Sequence, residues 1–142
     1  MSGDKQFSLR LDMSKALEQY PTPLVWNETG KGKTSANPQR WGDVVLARKD
    51  IPASYHLCCV VDDHIQGITD IVRGQDLYES TSIHTLLQTI FEFKNPNYLH
   101  HELVTDGVGR KLSKSEKPAG LRQLRENGQI PEELVTDLFQ PR

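Results

Sequence analysis

The five residues Lys111-Leu112-Ser113-Lys114-Ser115 carry the most chemical information in the chain. Two lysines three positions apart, with hydroxyl residues between and after them, suit a mobile loop that closes over a triphosphate. The ammonium groups neutralise negative charge as phosphate bonds rearrange, and a flexible setting lets the loop shut over a nucleotide. The string follows a predicted strand and turn and precedes a predicted helix, whose free N–H groups favour anions. An exposed lysine–serine loop with no ligand is the competing reading. The neighbourhood is basic: from Thr105 to Arg125, six cations (Arg110, Lys111, Lys114, Lys117, Arg122, Arg125) stand against Asp106 and Glu116. Inside a chain of formal net charge −2, such a stretch is either a phosphate-facing surface or a solvated helix face.

Other groups with chemical potential are less pointed. Cys58 and Cys59 are adjacent in an apolar run that reads as a strand. Strand neighbours point to opposite faces, so the pair is poorly placed to ligate one metal. Structural thiols in a reduced, cytoplasmic protein are expected, with no zinc site in this chain. His100 and His101 follow a strand close to the lysine loop, whereas His56 and His84 read as structural or exposed.

The elements that must hold these groups follow from periodicity. Charged residues make up 25% and hydrophobic residues 36% of 142 positions, ordinary for one soluble globular domain. No apolar run approaches the roughly 18 residues of a membrane span, and residues 1–11 lack a signal-peptide pattern. Residues 1–42 read as irregular: a short strand over 7–11, one or two helical turns over 14–20 with Ser14 as cap, and a long loop over 27–40. Asp43–Arg48 and Tyr55–Val61 read as strands forming an antiparallel hairpin. Gly67–Val72 reads as a third strand, 80–93 as a helix with one apolar face, and Tyr98–Val104 as a fourth strand. The last three form a βαβ unit, which implies parallel pairing. Helices over 118–126 and 131–139 close the chain, each with proline at its start.

Three motifs now combine. Lys111–Ser115 resembles the second signature of class I aminoacyl-tRNA synthetases, which usually reads Lys-Met-Ser-Lys-Ser. Upstream, Tyr55-His56-Leu57-Cys58-Cys59-Val60-Val61-Asp62-Asp63 and Gly67-Ile68-Thr69-Asp70-Ile71-Val72-Arg73-Gly74-Gln75-Asp76-Leu77 resemble the glutamyl branch of that class. Within the branch, the likeness is greatest to the glutamyl-Q tRNA(Asp) synthetases, which lack an anticodon-binding domain. It runs from about residue 7 to 126. The resemblance implies an α/β fold: the second half of a class I, Rossmann-like nucleotide-binding fold, with a small mixed sheet and flanking helices. Residues 1–42 would be the end of an acceptor-binding insertion, and 43–142 the C-terminal half of the catalytic domain. The implied activity is ATP-dependent activation of L-glutamate and its transfer to tRNA(Asp) or tRNA(Glu), with Mg2+ accompanying ATP.

By the same resemblance, Tyr55 lines the amino-acid pocket and Arg73 stands near the bound glutamate. A guanidinium at a strand's C-terminal end suits a carboxylate. Lys114 meets the ATP phosphates, supported by Lys111 and Ser113. The backbone of Leu103 and Val104, and the ring of His100, lie near the nucleotide. Asp62 and Asp63, pointing apart on a strand, read as structural, turn-forming or tRNA-adjacent. One departure weighs against autonomous activity. The first class signature, His-Ile-Gly-His, is absent, and His64-Ile65-Gln66-Gly67 shares letters but neither pattern nor place. The expectation is a partial synthetase, weak or inactive unless an N-terminal half completes it. The alternative is a non-catalytic remnant or a standalone module that binds nucleotide or tRNA.

Overall fold

In the computed structural model the described residues are 7–21, 23–104 and 120–139. They divide into two compact units, Met1–His101 and Glu102–Arg142. The first unit runs β1 (Leu9–Arg10), α1 (Met13–Gln19), β2 (Val25–Glu28), β3 (Gly32–Ser35), a 3-10 turn (Pro38–Trp41), β4 (Val45–Ala47), α2 (Tyr55–Ile65), β5 (Asp70–Gly74), a second 3-10 turn (Gln75–Leu77), α3 (Thr81–Ile90) and β6 (Asn97–His101). The second unit contains α4 (Leu121–Glu126) and α5 (Pro131–Phe139). No helix among the described residues is long and apolar enough to cross a membrane.

The expected βαβ unit forms: β5 and β6 pair in parallel across α3, with Arg73 opposite His100. The segment 27–40, expected to be a loop, instead enlarges this sheet. Leu24, Trp26 and Glu28 alternate with Val25 and Asn27, and all three are buried, which is the period of a half-buried strand. A turn through Thr29–Lys31, with Gly30 inside it and Gly32 just after it at positive φ, returns the chain as β3. The sheet order is β3-β2-β6-β5, with β2 parallel to β6. A separate antiparallel pair joins β1 to β4, so β4 takes its partner from the start of the chain and no hairpin links 43–48 to 55–61.

The main correction is α2. Tyr55–Val61, expected as a strand, is the first part of an eleven-residue helix. Ser54 caps it by accepting from the Leu57 N–H. At the other end Gly67 sits at φ +66°, where its N–H reaches the His64 carbonyl and the Ile68 N–H reaches the Asp63 carbonyl. That is a Schellman ending. Gly67 thus stops a helix where it was read as starting a strand, and β5 begins only at Asp70. The apolar run is ambiguous between strand and buried helix by periodicity alone, and the caps decide. In α1 the cap is Asp12, one turn before the Lys15 N–H it accepts from, and not Ser14.

The core lies where α2 and α3 pack with α1: Met13, Ala16, Leu24, Val44, Val60, Ile83, Leu86 and Leu87. Helix α3 is buried around most of its circumference, from Thr81 through Gln88. Its polar side chains are therefore enclosed, and their hydrogen bonds go inward.

Candidate active site

Parallel pairing places the C-terminal ends of β2, β6 and β5 side by side, the usual location of ligand sites in open α/β sheets. Each end supplies one polar side chain: Glu28, His100 and Arg73. Glu28 is 2% exposed. Its Oε2 accepts from Trp26 Nε1 at 3.1 Å and lies 2.8 Å from His100 Nδ1, while Oε1 accepts from the His100 backbone N–H at 3.0 Å. Arg73 Nε donates to His100 Nε2 at 3.0 Å, and Nη2 donates to Thr81 Oγ1 at 2.6 Å and to the Leu77 carbonyl at 3.4 Å. Nη1 stands 3.1 Å from His84 Nδ1. The guanidinium carbon lies 5.0 Å from the centre of the Tyr98 ring, a cation–π contact.

These directions fix the imidazole of His100. An arginine N–H only donates, so Nε2 accepts and Nδ1 carries the hydrogen that goes to Glu28. The carboxylate thus receives three hydrogen bonds. Burial pushes the Glu28 carboxyl up, but the bonds from His100 and Trp26 outweigh it and hold it below the usual range. Glu28 is the buried negative charge of the cluster and the half-buried Arg73 the positive one, with the His100 ring between them. Among the described residues, every hydrogen bond from the guanidinium runs to a neutral group.

The fold brings three of the expected site residues together, Tyr55, Arg73 and His100. Tyr55 opens α2, where it is 52% exposed. Burial pushes its hydroxyl up, Cys59 one turn later adds to that, and Arg73 pulls it the other way. The Tyr55 ring stands 6.0 Å from that of His84. Tyr55 and His56 also border an open groove of about 810 Å3 that includes Arg10, Trp41 and Arg48. His100, expected near nucleotide, has its side chain 1% exposed with both ring nitrogens engaged. It offers no ring nitrogen to a ligand and sits between Glu28 and Arg73. Leu103 and Val104 belong to the second unit, where Val104 is exposed. Lys111, Ser113 and Lys114 lie outside the described residues. Cys58 and Cys59 are free thiols. Now on a helix, they point about 100° apart, and no group of three His, Cys, Asp or Glu among the described residues could hold a metal.

Glu28, Thr81 and His84 were missed. Glu28 was hidden by reading 27–40 as loop, although Leu24–Glu28 alternates and ends at Thr-Gly-Lys-Gly, a hairpin signal. His84 was assigned to structure or surface, yet it is 1% exposed and in contact with Arg73. Its signal was its place on an otherwise enclosed helix, between Ile83 and Leu87.

Residues 2–140 match the family described as tRNA synthetases class I (E and Q), catalytic domain, and the chain belongs to that family. The glutamyl-Q tRNA(Asp) synthetase of Rhodobacter capsulatus is 43% identical over 134 residues, covering 89% of this chain and 47% of that protein. The glutamate–tRNA ligase of Finegoldia magna is 32% identical over 134 residues, covering 94% of this chain and 26% of that protein. A crystal structure of glutamate–tRNA synthetase from Elizabethkingia anophelis superposes with a TM-score of 0.64 at 25% identity, over 92% of this chain and 32% of that one. The chain therefore spans about half the length, or less, of these relatives. The α/β architecture with a small mixed sheet and flanking helices is that of part of a class I synthetase.

Proposed function

We propose that this chain supplies the amino-acid-recognising part of a site that activates L-glutamate with ATP for transfer to tRNA. The observation that carries this reading is Arg73. Its guanidinium is fixed by four hydrogen bonds to neutral acceptors, so a carboxylate is a stronger partner than any it has. Bonds from a charged donor to a charged acceptor are about twice as strong as neutral ones. Tyr55 stands beside it and lines the amino-acid pocket.

In the reaction, an oxygen of the glutamate α-carboxylate attacks the α-phosphorus of ATP. A carboxyl–phosphate anhydride forms, the bond to the β-phosphate oxygen breaks, and pyrophosphate leaves. A hydroxyl of the tRNA then attacks the activated carbonyl, gives up its proton, and AMP departs. No protein nucleophile takes part. Orientation and neutralisation of the leaving phosphates supply the catalysis. Arg73 holds glutamate, Lys114 meets the phosphates with Lys111 and Ser113 supporting the loop, and the backbone at Leu103 and Val104 borders the adenine. His100 acts behind Arg73 by holding the guanidinium against Glu28. Mg2+ enters with ATP as part of the substrate. The similarity to the Rhodobacter relative favours tRNA(Asp) as acceptor, with tRNA(Glu) the alternative. The stretch before residue 43 corresponds to the end of the acceptor-binding insertion. The partner in catalysis is the N-terminal part of the synthetase, for which the edge strand β5 and the exposed side chains of Val72 and Leu99 are the docking surface.

Glutamate-dependent ATP–pyrophosphate exchange tests this, with the 142-residue chain alone and mixed with the N-terminal half of the Rhodobacter relative, with and without tRNA. Exchange in the mixture, lost in Lys114→Ala and in Arg73→Ala, is expected. Exchange that survives both substitutions, or none in a folded mixture shown to associate, contradicts the proposal.

A further inference from the structure

The hydrogen-bond directions that fix His100 also run the other way from Arg73. Nη1 can only donate, so His84 Nδ1, 3.1 Å away, accepts. His84 Nε2 lies 3.0 Å from His56 Nδ1. A neutral imidazole that accepts at Nδ1 carries its hydrogen on Nε2, so this second bond runs from His84 to His56. His56 is then left with its own hydrogen on Nε2. The chain of donors, Arg73 to His84 to His56, is consistent only in this one arrangement.

We propose that His84 is a positioning residue for Arg73 and that His56 locks the tautomer that lets it serve. The unprotonated Nδ1 of His84 fixes the rotation of the guanidinium about Nε, complementing His100 and Thr81 on its other edges. The edge toward Tyr55 is thereby held for a ligand. This rests on the reading of Arg73 as the receptor for the glutamate carboxylate, and it extends that reading to two histidines on α2 and α3.

The arrangement makes the anchor sensitive to a single proton. A proton on His56 Nδ1 removes the acceptor of His84 Nε2–H. His84 must then move its own hydrogen to Nδ1, where it meets an arginine N–H, donor against donor. The groups around this pair are Arg73 from β5, His100 from β6, Tyr55 from α2 and Thr81 from α3. Burial, with Arg73 next, lowers the pKa of both histidines, that of His84 to about 3. The neutral, locked form therefore persists below the ordinary histidine range.

The test is NMR on the 15N-labelled 142-residue chain. Long-range imidazole spectra should show His84 unprotonated at Nδ1 and protonated at Nε2 between about pH 8 and 5.5. Hydrogen exchange of the Arg73 Nε–H should quicken about tenfold in His84→Leu, which has no acceptor, and stay within about threefold of wild type in His84→Asn, whose Oδ1 replaces Nδ1. A wild-type His84 with its hydrogen on Nδ1 overturns the proposal. So does Arg73 exchange unchanged in His84→Leu. Should His84→Leu not fold, His84→Ala decides: exchange of the Arg73 Nε–H should again quicken about tenfold, and unchanged exchange contradicts the account. Glutamate titration of the same samples should weaken about tenfold in His84→Leu and recover in His84→Asn. If wild type binds no glutamate while His84→Leu still loosens Arg73, the glutamate reading fails and the positioning role stands.

Discussion

Glu28 shows how one buried side chain can set a site without touching a ligand. It is enclosed, accepts three hydrogen bonds, and balances Arg73 across the ring of His100. Glu28→Gln replaces a carboxylate by an amide, weakens the bonds it accepts from His100 and Trp26, and leaves Asp63 as a remaining carboxylate that interacts with Arg73. Weakening buried hydrogen bonds to a charged acceptor costs about 1.5–3 kcal/mol, so the midpoint of urea unfolding should fall accordingly, and Arg73 Nε–H exchange should quicken. A stability within about 0.5 kcal/mol of wild type, the range of ordinary surface substitutions, would show that the charges are not coupled. Acid should act through two groups here. The Glu28 pKa is lowered by folding, so its contribution is present above the unfolded value near 4.5 and is lost as pH falls through the folded one. His84 is a base lowered from 6.5 to about 3, so below 6.5 the unfolded chain binds the extra proton. Stability should decline from about pH 6.5 toward 3, by up to about 1.4 kcal/mol per pH unit for that histidine. Urea midpoints across this range should flatten in His84→Asn. At this scale Tyr55 and Arg73 could be singled out from the sequence because they lie in recognisable strings. Glu28 and His84 were not, since their importance comes from partners 72 and 11 positions away, which no local pattern encodes.

The ends of the elements decided what they became. The run Tyr-His-Leu-Cys-Cys-Val-Val has strand composition, but Ser54 before it and Gly67 after it enclose a helix, with Leu57, Val60 and Val61 at helical spacing. The parallel unit and α3 were legible because a long apolar period is the strongest local signal. The hairpin β2–β3 was not, because glycine, lysine and threonine suggest a loop until the alternation before them is counted. Helix α2 carries Tyr55 and His56, so its ending bears on the site. Gly67→Ala places a Cβ at φ +66° in open space. The cost is therefore backbone strain alone, about 1–2 kcal/mol. Thermal unfolding should show that loss, and Gly67→Asn should lose less, because asparagine tolerates the left-handed region. An unchanged melting temperature in Gly67→Ala would mean that the helix ends elsewhere.

At the scale of the whole unit, one enclosed helix joins the core to the site. Leu86, fully buried in α3, belongs to the core with Val60 and Ile83 and lies two residues beyond His84, which touches Arg73. Leu86→Ala should cost about 2–5 kcal/mol and loosen His84 and Thr81 together, visible as faster amide exchange along α3. Loss confined to the Leu86 position would argue against a shared core. The strand ends, the helix behind them and the neutral cage around Arg73 lead to a single expectation for what this molecule holds.

That expectation is most directly tested by titrating the 142-residue chain with L-glutamate and, separately, with L-glutamine, following the Arg73 Nε–H and Tyr55 ring signals. The account predicts saturable shifts with glutamate at both residues, about tenfold or more weaker binding of glutamine, and loss of both in Arg73→Ala. Equal binding of the two amino acids, binding that survives Arg73→Ala, or no shift at either residue in a folded sample would contradict it.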